Sequence, residues 1–555
     1  MTGTMDRRGF LRTAAIAGAG IGGLTMGACT GGREEVRPGA ISPSATSEFR
    51  WHEATIAEMQ AAMSSGEATA VDLVRDHIAR IELLDWSGPR LNSVIEVDPD
   101  AEAIAAGLDA ERASGRVRGP LHGIPVLLKD VVATADRMQT TAGSFALVGS
   151  KVSRDAHVAA KLREAGAILL GKNNLSEWNA FRGWPLHPPW SGRAGMGLNP
   201  YWLNLSTGDS SSGSAAAVSA SFAAGAVGLE TYGSIVMPSA LCGIVGLKPT
   251  VGLVGRSGTI GISITRDVIG PMARTVTDVA AMLGAMTGID AGDDATMASQ
   301  GYAEDDYLRA LDEDGLRGAR IGVWRRHDLW KDDPAANAVI EDLFPVLREL
   351  GAQVVDPIDV PDWLDATGEH IGVMFPEFRV RVDRYLASLE DSPIRSLADV
   401  VAFNEDHQEE ELAIHAQNTM EGALEERPLT DATYLRSLRL SSRLGREGID
   451  GAMRRHRLDA IVAPTFRRAW EIDLAAGDDP MNGNGAAGPS NAAGYPHITV
   501  PAGTVDGIPI GVSLMAGAWE EAKLLRYAFA LEQATRARRA PTFREGYNVR
   551  AVVDR

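Results

Sequence analysis

The stretch STGDSSSGSAAAVSASFAAGAVGLETYGSIVMPSALCGIVGLKPT spans residues 206 to 250 and has the most unusual composition in the chain. Serine and glycine are concentrated at its start, directly before the Ala-rich run SAAAVSASFAAG (214 to 225). If that run is helical, backbone N–H groups and hydroxyls gather at the helix N-terminus, where negative charge is stabilised. The residues alone leave three interpretations open: an anion site, a catalytic loop or a flexible serine-rich turn.

Helical and extended patterns alternate on both sides of this stretch. Upstream, AVDLVRDHIARIELL (70 to 84) carries apolar residues at helical spacing, whereas IPVLL (124 to 128) and AILLG (167 to 171) are short apolar runs typical of buried strands. Downstream, LDAIVAPT (458 to 465) repeats the strand pattern, and EAKLLRYAFALEQATRARR (521 to 539) has the pattern of a long amphipathic helix. This alternation predicts an α/β fold in which helices cover a central sheet.

Two regions depart from the alternation. Residues 363 to 457 show no strand pattern and are rich in charge and in helix-forming residues, which predicts a helical insertion that walls or covers a site. The stretch AAGDDPMNGNGAAGPSNAAG (475 to 494) is rich in glycine and asparagine and predicts a loop. Loops of this length in a compact domain are often functional.

Composition limits the partners of the chain. With 555 residues and 45% apolar content, the chain can bury a large core. A formal net charge of −19 argues against a nucleic-acid partner, because such binding relies on lysine and arginine neutralising phosphates. The histidines, among them His122, His187 and His497, lack the H-E-x-x-H or C-x-x-C context of metal sites. We therefore expect neither a metal nor another cofactor, and the sequence does not indicate an oligomeric state.

The first residues have the features of an export signal. Arg7 and Arg8 precede the small, apolar run AAIAGAGIGGLTMGA, and Cys29 follows it, so residues 1 to 29 resemble a twin-arginine signal peptide. The tetrapeptide MGAC also resembles a bacterial lipobox, in which the cysteine becomes lipidated. A membrane tether through lipidated Cys29 and a freely secreted form both stay open. Residues 30 to 46 are rich in glycine, proline and serine and predict a flexible linker, so the folded body starts at residue 47.

Three motifs of the central stretch resemble the amidase signature family. They are GDSSSGS (208 to 214), ETYGSI (230 to 235) and CGIVGLKPT (242 to 250). Further blocks, such as GPLHGIPVLLKD (119 to 130) and DVIGPMARTVTD (267 to 278), extend the resemblance over nearly the whole body. The resemblance implies an amidase signature domain over residues 47 to 555: a central mixed β-sheet covered by helices on both faces, with the helical insertion.

The resemblance also implies a Ser-Ser-Lys catalytic set. By position, the nucleophile falls on Ser234, a bridging serine that follows a cis peptide bond falls on Ser210, and the base falls on Lys129. The residue types suit these roles: no G-x-S-x-G elbow surrounds either serine, so a Ser-His-Asp triad is not indicated. Burial behind the apolar run IPVLL favours the neutral amine of lysine, since desolvation penalises the ammonium form.

Backbone donors and an ion pair complete the site that the resemblance implies. The oxyanion of a tetrahedral intermediate needs preorganised donors, which the family supplies from the backbone N–H groups just before the nucleophile. Here these belong to Thr231, Tyr232 and Gly233. Asp267 and Arg274 resemble a family ion pair that supports the nucleophile loop.

The chain departs from the family pattern close to these residues. Asp209 stands in place of a glycine, Leu229 in place of a threonine, and Tyr232 in place of a glycine or an aspartate. A carboxylate beside Ser210 would favour a charged Lys129, and a charged lysine is not a base. The phenol of Tyr232 would narrow the acyl pocket or stack on an aromatic substrate.

The sequence thus predicts an exported amidase that cleaves the carbon–nitrogen bond of small or peptidic carboxamides through an acyl-enzyme. The departures keep open an alternative, a non-catalytic exported binding protein that retains the fold. A third interpretation, the glutaminase-like subunit of a tRNA amidotransferase, shares the motifs. The export signal argues against it, because that subunit works in the cytoplasm.

Overall fold

The structure, a computed structural model, describes residues 49–184, 189–208, 210–325, 330, 333–474 and 485–546. The signal segment (1 to 29), the linker (30 to 46) and Asp209, with its peptide bond to Ser210, lie outside these residues. The expectations attached to them, including the cis peptide bond, stay predictions.

The strands of the described residues alternate with helices along most of the chain. They are β1 (Val94–Val97), β2 (Pro125–Lys129), β3 (Ile168–Asn173), β4 (Trp190–Ser191), β5 (Gly195–Met196), β6 (Gly225–Glu230), β7 (Val245–Lys248), β8 (Val268–Ala273), β9 (Arg320–Trp324), β10 (Gln353–Ile358), β11 (Ala460–Pro464), β12 (His497–Val505) and β13 (Ile508–Met515).

Within the described residues, eleven of these strands form one sheet in the order β1-β3-β2-β6-β8-β7-β12-β13-β11-β9-β10. The pairs β2–β3, β2–β6, β9–β11 and β9–β10 are parallel, and the remaining pairs are antiparallel. Strands β4 and β5 form a separate antiparallel pair. The predicted α/β fold around a mixed sheet is confirmed.

Helices flank this sheet. They are α1 (Ile56–Ser65), α2 (Ala70–Leu84), α3 (Ala101–Ala113), α4 (His157–Glu164), α5 (Ser212–Ser219), α6 (Val236–Leu241), α7 (Val276–Met286), α8 (Pro334–Glu341), α9 (Leu343–Glu349), α10 (Trp363–Ala387), α11 (Leu397–Asp406), α12 (Gln408–Glu411), α13 (Asn418–Leu424), α14 (Ala432–His456), α15 (Ala487–Ala493) and α16 (Glu521–Thr535). Short 3-10 helices lie at Phe145–Leu147, Glu177–Ala180, Asp294–Ser299 and Tyr307–Ala310. Over the described ranges, none of the helices has both the length and the apolar character that a membrane crossing requires.

Local sequence signals set several helix boundaries. Helix α2 begins at the predicted residue because Thr69 and Asp72 form a capping box. The Asp72 amide donates to Thr69 Oγ1 at 3.1 Å, and the Thr69 amide donates to Asp72 Oδ2 at 2.8 Å. This arrangement satisfies backbone N–H groups that have no partner inside the helix.

The region from 363 to 457 is helical, as predicted, and comprises α10 to α14. The prediction of a loop over 475 to 494 is wrong in its last part, because α15 occupies Ala487–Ala493 and is buried. Its small residues allow close packing rather than chain flexibility. A Cβ at Gly488 would lie 2.5 Å from Thr367 Oγ1 of α10, and one at Gly445 of α14 would lie 2.6 Å from the Ala493 backbone nitrogen. Residues 475 to 484 lie outside the described residues.

Candidate active site

The site forms where two neighbouring strands end. Strands β2 and β6 are parallel and paired, and their last residues are Lys129 and Glu230. Because paired parallel strands have their carboxyl ends at the same edge of the sheet, Lys129 lies beside the loop that follows β6. In α/β sheets this edge is where ligands commonly bind.

The predicted base contacts the predicted bridging serine. Lys129 Nζ lies 2.7 Å from Ser210 Oγ and 3.3 Å from the Leu229 carbonyl oxygen, and both contacts are hydrogen bonds. Lys129 and Ser210 are fully buried. A proton can pass directly between two groups at this distance, because the hydrogen bond already joins the exchanging atoms.

Burial by itself does not single out Lys129. Lys172 and Lys248 are also fully buried. Lys172 Nζ donates to the Val132 carbonyl at 2.5 Å, and Lys248 Nζ donates to the Pro249 carbonyl at 3.2 Å. Burial lowers the pKa of both amines, that of Lys248 to about 8. Among the buried lysines of the described chain, only Lys129 contacts a serine hydroxyl.

The serine-rich loop is attached to the end of β6 and to the predicted nucleophile. Ser211 Oγ donates to the Leu229 carbonyl at 3.1 Å, and the Ser211 amide donates to the Ser234 carbonyl at 3.2 Å. Ser234 retains 4% of its surface exposed, whereas Ser210 retains none. The structure therefore joins Lys129 directly to Ser210 and joins Ser234 to the residue after Ser210, and Ser234 is the more accessible of the two predicted serines.

A sharp turn presents Ser234. Gly233 adopts a φ of +85°, a left-handed conformation that glycine reaches without a Cβ penalty. The Glu230 carboxylate accepts hydrogen bonds from the amides of Ile235 and Val236 at 2.7 and 3.0 Å, at the start of α6. The ETYGSI motif contains Glu230, but its spacing alone did not reveal that this residue caps the helix after the nucleophile.

The turn leaves backbone donors for an oxyanion. Within the described residues, the amides of Thr231, Gly233 and Ser234 donate no hydrogen bond, whereas those of Ile235 and Val236 are occupied by Glu230. Unpaired amides at a buried turn are costly unless a ligand satisfies them. The turn predicted to hold the oxyanion thus has donors available for a substrate oxygen.

The predicted ion pair between Asp267 and Arg274 is wrong. Asp267 precedes β8 and Arg274 follows it, so a strand of six residues separates them, a rise of about 20 Å. Arg274 instead donates to the carbonyls of Val218 and Ala223 at 3.0 and 2.8 Å, which anchors the connection between α5 and β6.

Asp267 nevertheless supports the nucleophile loop, with different partners. Thr231 Oγ1 donates to Asp267 Oδ1 at 2.7 Å, and Arg381 Nε of α10 lies 3.5 Å from Asp267 Oδ2. Burial raises the pKa of the Asp267 carboxyl, and Arg381 and Thr231 partly offset that rise. The supporting cation therefore comes from the helical insertion.

A double-mutant cycle separates the two pairings. We expect Asp267→Ala and Arg381→Ala to couple by about 1 to 3 kcal/mol in the free energy of unfolding, because the two side chains form one buried network. Asp267→Ala and Arg274→Ala should be additive within about 0.5 kcal/mol, as expected for distant sites. Urea denaturation followed by circular dichroism measures both cycles. If Asp267 couples more strongly to Arg274 than to Arg381, the result would contradict the structure.

The insertion makes further contacts with the same region. Glu377 of α10 accepts hydrogen bonds from the Thr265 amide at 3.0 Å and from Tyr434 Oη of α14 at 2.6 Å. Arg266 Nη2 donates to Ser441 Oγ and Ser442 Oγ of α14 at 2.6 and 2.9 Å. These contacts connect α10 and α14 to the segment that carries Asp267. That the insertion walls or covers the site stays a prediction.

One residue of the insertion reaches the turn itself. His370 Nε2 of α10 lies 3.0 Å from the Thr231 carbonyl oxygen, and its ring centroid lies 5.7 Å from that of Tyr232. His370 is fully buried, and burial lowers the pKa of its imidazole to about 3. Sequence analysis missed this residue because no motif surrounds it. Across the described residues, no group of three or more histidine, cysteine or acidic side chains is placed to hold a metal ion.

Comparison with known proteins defines the class of the protein as an amide-hydrolysing enzyme. The family model described as Amidase matches residues 72–525, so the chain belongs to the amidase family, and it has the family's amidase signature.

Similarity to individual amidases supports this assignment. The chain is similar to a probable amidase of Arabidopsis thaliana, with 38% identity over 508 residues, 90% of this chain and 93% of the relative. It is 45% identical to the solved native peptide amidase of Stenotrophomonas maltophilia, with a TM-score of 0.85, covering 89% of this chain and 99% of that one. It is 33% identical to a glutamyl-tRNA(Gln) amidotransferase subunit of Halorhodospira halophila over 517 residues, 87% of this chain and 98% of the relative.

Proposed function

We propose that the protein is an exported amidase that hydrolyses the carbon–nitrogen bond of small or peptidic carboxamides through Ser234, Ser210 and Lys129. The observation that carries this proposal is the buried 2.7 Å contact between Lys129 Nζ and Ser210 Oγ, beside the turn that presents Ser234. A buried lysine and a serine in this contact form the first half of a proton relay to a nucleophile.

In the proposed reaction, neutral Lys129 accepts the Ser210 proton while Ser210 Oγ accepts that of Ser234. Ser234 Oγ forms a bond to the carboxamide carbon, and the π electrons of the carbonyl move onto its oxygen. Collapse of this intermediate breaks the carbon–nitrogen bond, and the proton returns along the relay to the leaving nitrogen, which departs as ammonia or an amine. Water then attacks the Ser234 ester by the same relay and releases the carboxylic acid.

The turn supplies the electrostatic part of this reaction. Amides of Thr231, Tyr232 and Gly233 are the proposed donors to the developing oxyanion. Donors that are already oriented need no reorganisation when the charge forms, and each typically contributes about 10²- to 10³-fold to kcat. Glu230 assists indirectly, because it occupies the two amides that follow Ser234 and holds the start of α6 in place.

Two observations favour a peptidic amide over other substrates. Identity to the peptide amidase is 45%, against 33% for the tRNA amidotransferase relative, and a solved complex of a peptide amidase contains the competitive inhibitor chymostatin. Tyr232 also lies with its ring close to His370 at the nucleophile turn, so an aromatic surface borders the proposed acyl site. We propose a peptide that carries a carboxamide as the substrate class.

Export is the other part of the proposal. Arg7, Arg8 and the apolar run before Cys29 support translocation by a twin-arginine pathway, and Cys29 is the proposed site of lipidation. Cell fractionation with a Cys29→Ala variant tests the tether, since only the lipidated form would remain with the membrane.

Product analysis tests the proposed reaction. We expect the purified enzyme to convert an N-acetylated dipeptide amide to its free acid and to release one ammonia per peptide, which mass spectrometry and an ammonia assay measure together. The same peptide as a free acid is the control, and it should remain intact because it has no carboxamide to hydrolyse. Hydrolysis of free glutamine in preference to the peptide amide would instead favour the glutaminase-like interpretation, and binding of the peptide amide without turnover would favour the binding protein.

A further inference from the structure

The imidazole of His370 contacts the carbonyl that belongs to a proposed oxyanion peptide. His370 Nε2 lies 3.0 Å from the Thr231 carbonyl oxygen, and a carbonyl only accepts, so Nε2 carries the proton. Nδ1 is buried and has no hydrogen-bond partner within the described residues. Burial lowers the pKa of the imidazole to about 3, which keeps this ring neutral over the range in which enzymes work, and the Thr231 carbonyl selects the tautomer with the proton on Nε2.

Peptide geometry connects this contact to the site. The peptide bond between Thr231 and Tyr232 is trans, so its C=O and N–H groups point in opposite directions. A donor that fixes the Thr231 carbonyl therefore also fixes the direction of the Tyr232 N–H. That N–H points away from His370, and it is one of the proposed oxyanion donors.

Two other contacts of the turn act on different groups. Asp267 holds the hydroxyl of Thr231, and Glu230 holds the amides that follow Ser234. Neither of these contacts restricts rotation of the peptide plane between Thr231 and Tyr232. The His370 bond acts on that plane directly, because it holds the carbonyl of this peptide.

We propose that His370 is a positioning residue, whose Nε2–H orients the Thr231–Tyr232 peptide so that the Tyr232 N–H faces the carbonyl oxygen of the bound amide. This inference rests on the proposed function and adds to it a residue from the helical insertion. It also gives α10 a second task beside supporting Asp267, because α10 carries both Arg381 and His370.

Three variants test the role of His370. We expect His370→Met, which cannot donate, to lower kcat about 10- to 100-fold while KM changes less than about 3-fold, since the misdirected amide is needed mainly in the transition state. His370→Gln should recover most of kcat, because a glutamine amide nitrogen can occupy the place of Nε2. His370→Asn should not recover kcat, since the amide nitrogen of the shorter asparagine side chain lies at the position of Nδ1 and not of Nε2. If the methionine variant fails to fold, the comparison of glutamine with asparagine decides.

His77 offers a matched control for the loss of a buried imidazole. It is fully buried, its Nδ1 lies 2.7 Å from the Leu73 carbonyl, its Nε2 has no partner within the described residues, and burial lowers its pKa to about 3. It lies on α2, which takes no part in the site. We expect His77→Met to lower thermal stability and to leave kcat unchanged.

Two readouts separate this inference from the proposed function. The first readout is kcat on the peptide amide. The second is the rate at which a fluorophosphonate modifies Ser234, because this modification needs the same oxyanion donors. If the wild-type enzyme hydrolyses no amide, the proposed function fails, and the rate of modification still tests His370. The inference is overturned if His370→Met matches the wild type in both readouts, or if the glutamine and asparagine variants behave alike.

Discussion

Replacement of Ser234 by alanine is expected to lower kcat on a peptide amide by about 10⁴- to 10⁶-fold, the largest effect of any single change in the chain. The substitution removes the only atom proposed to bond to the substrate, and losses of this size accompany removal of a serine nucleophile. Ser234 is 4% exposed and the substitution removes a single oxygen, so it should leave the fold intact. A residual rate remains, because the backbone donors still polarise the carbonyl.

Mass-spectrometric mapping of a fluorophosphonate adduct gives the direct measurement. We expect one adduct on Ser234 in the wild-type protein and none in Ser234→Ala. Ser239→Ala is the matched control: Ser239 lies on α6 shortly after the nucleophile, is fully buried, and its hydroxyl has no partner within the described residues. That variant should retain both the adduct and the activity. An adduct on Ser210 would exchange the roles of the two serines, and no adduct on any serine would support the non-catalytic binding protein.

The sequence predicted those parts of the site whose structure depends on residues that are neighbours in the chain. An apolar run ending in lysine predicted a buried strand, and β2 indeed ends at Lys129 with all its residues buried. The family resemblance placed backbone donors in the residues just before Ser234, and β6 ends at Glu230 immediately before these residues. The buried strand depends on residues that are close in sequence, so its apolar composition was sufficient to identify it, whereas the role of the turn was implied by the resemblance to the family.

Contacts between distant segments were not predictable in the same way. His370 and Thr231 are 139 residues apart, and a lone histidine in a helical pattern is indistinguishable from a packing residue. The partner of Asp267 shows the same difficulty. Arg274 is close in sequence, but the extended strand between them places it at the opposite end of β8, whereas Arg381 arrives from the insertion.

Composition was a misleading guide at α15. Glycine and asparagine predicted a loop over 475 to 494 because both residue types lower helix stability and mark turns. In the structure the glycines of this segment instead allow backbones to approach, as the closeness of Gly488 to Thr367 shows. Helix α15 forms because α10 and α14 pack against it, and tertiary packing of this kind supplies most of the stability of short helices.

Replacement of Lys129 is expected to have the second largest effect on kcat, since the proposed relay requires a base. We expect Lys129→Met to lower kcat by about 10³-fold or more, because the methionine side chain fills similar space but accepts no proton. Lys129→Arg should be as inactive, since arginine keeps the positive charge and cannot deprotonate in a protein. An arginine variant that retains activity would show that Lys129 acts through its charge, not as a base.

Lys172→Met is the control for losing a buried amine. Lys172 lies on β3, which pairs with β2, and its amine contacts Val132 and Thr140 and not the serines of the relay. We expect Lys172→Met to lower the melting temperature and to leave kcat and the rate of Ser234 modification near the wild-type values.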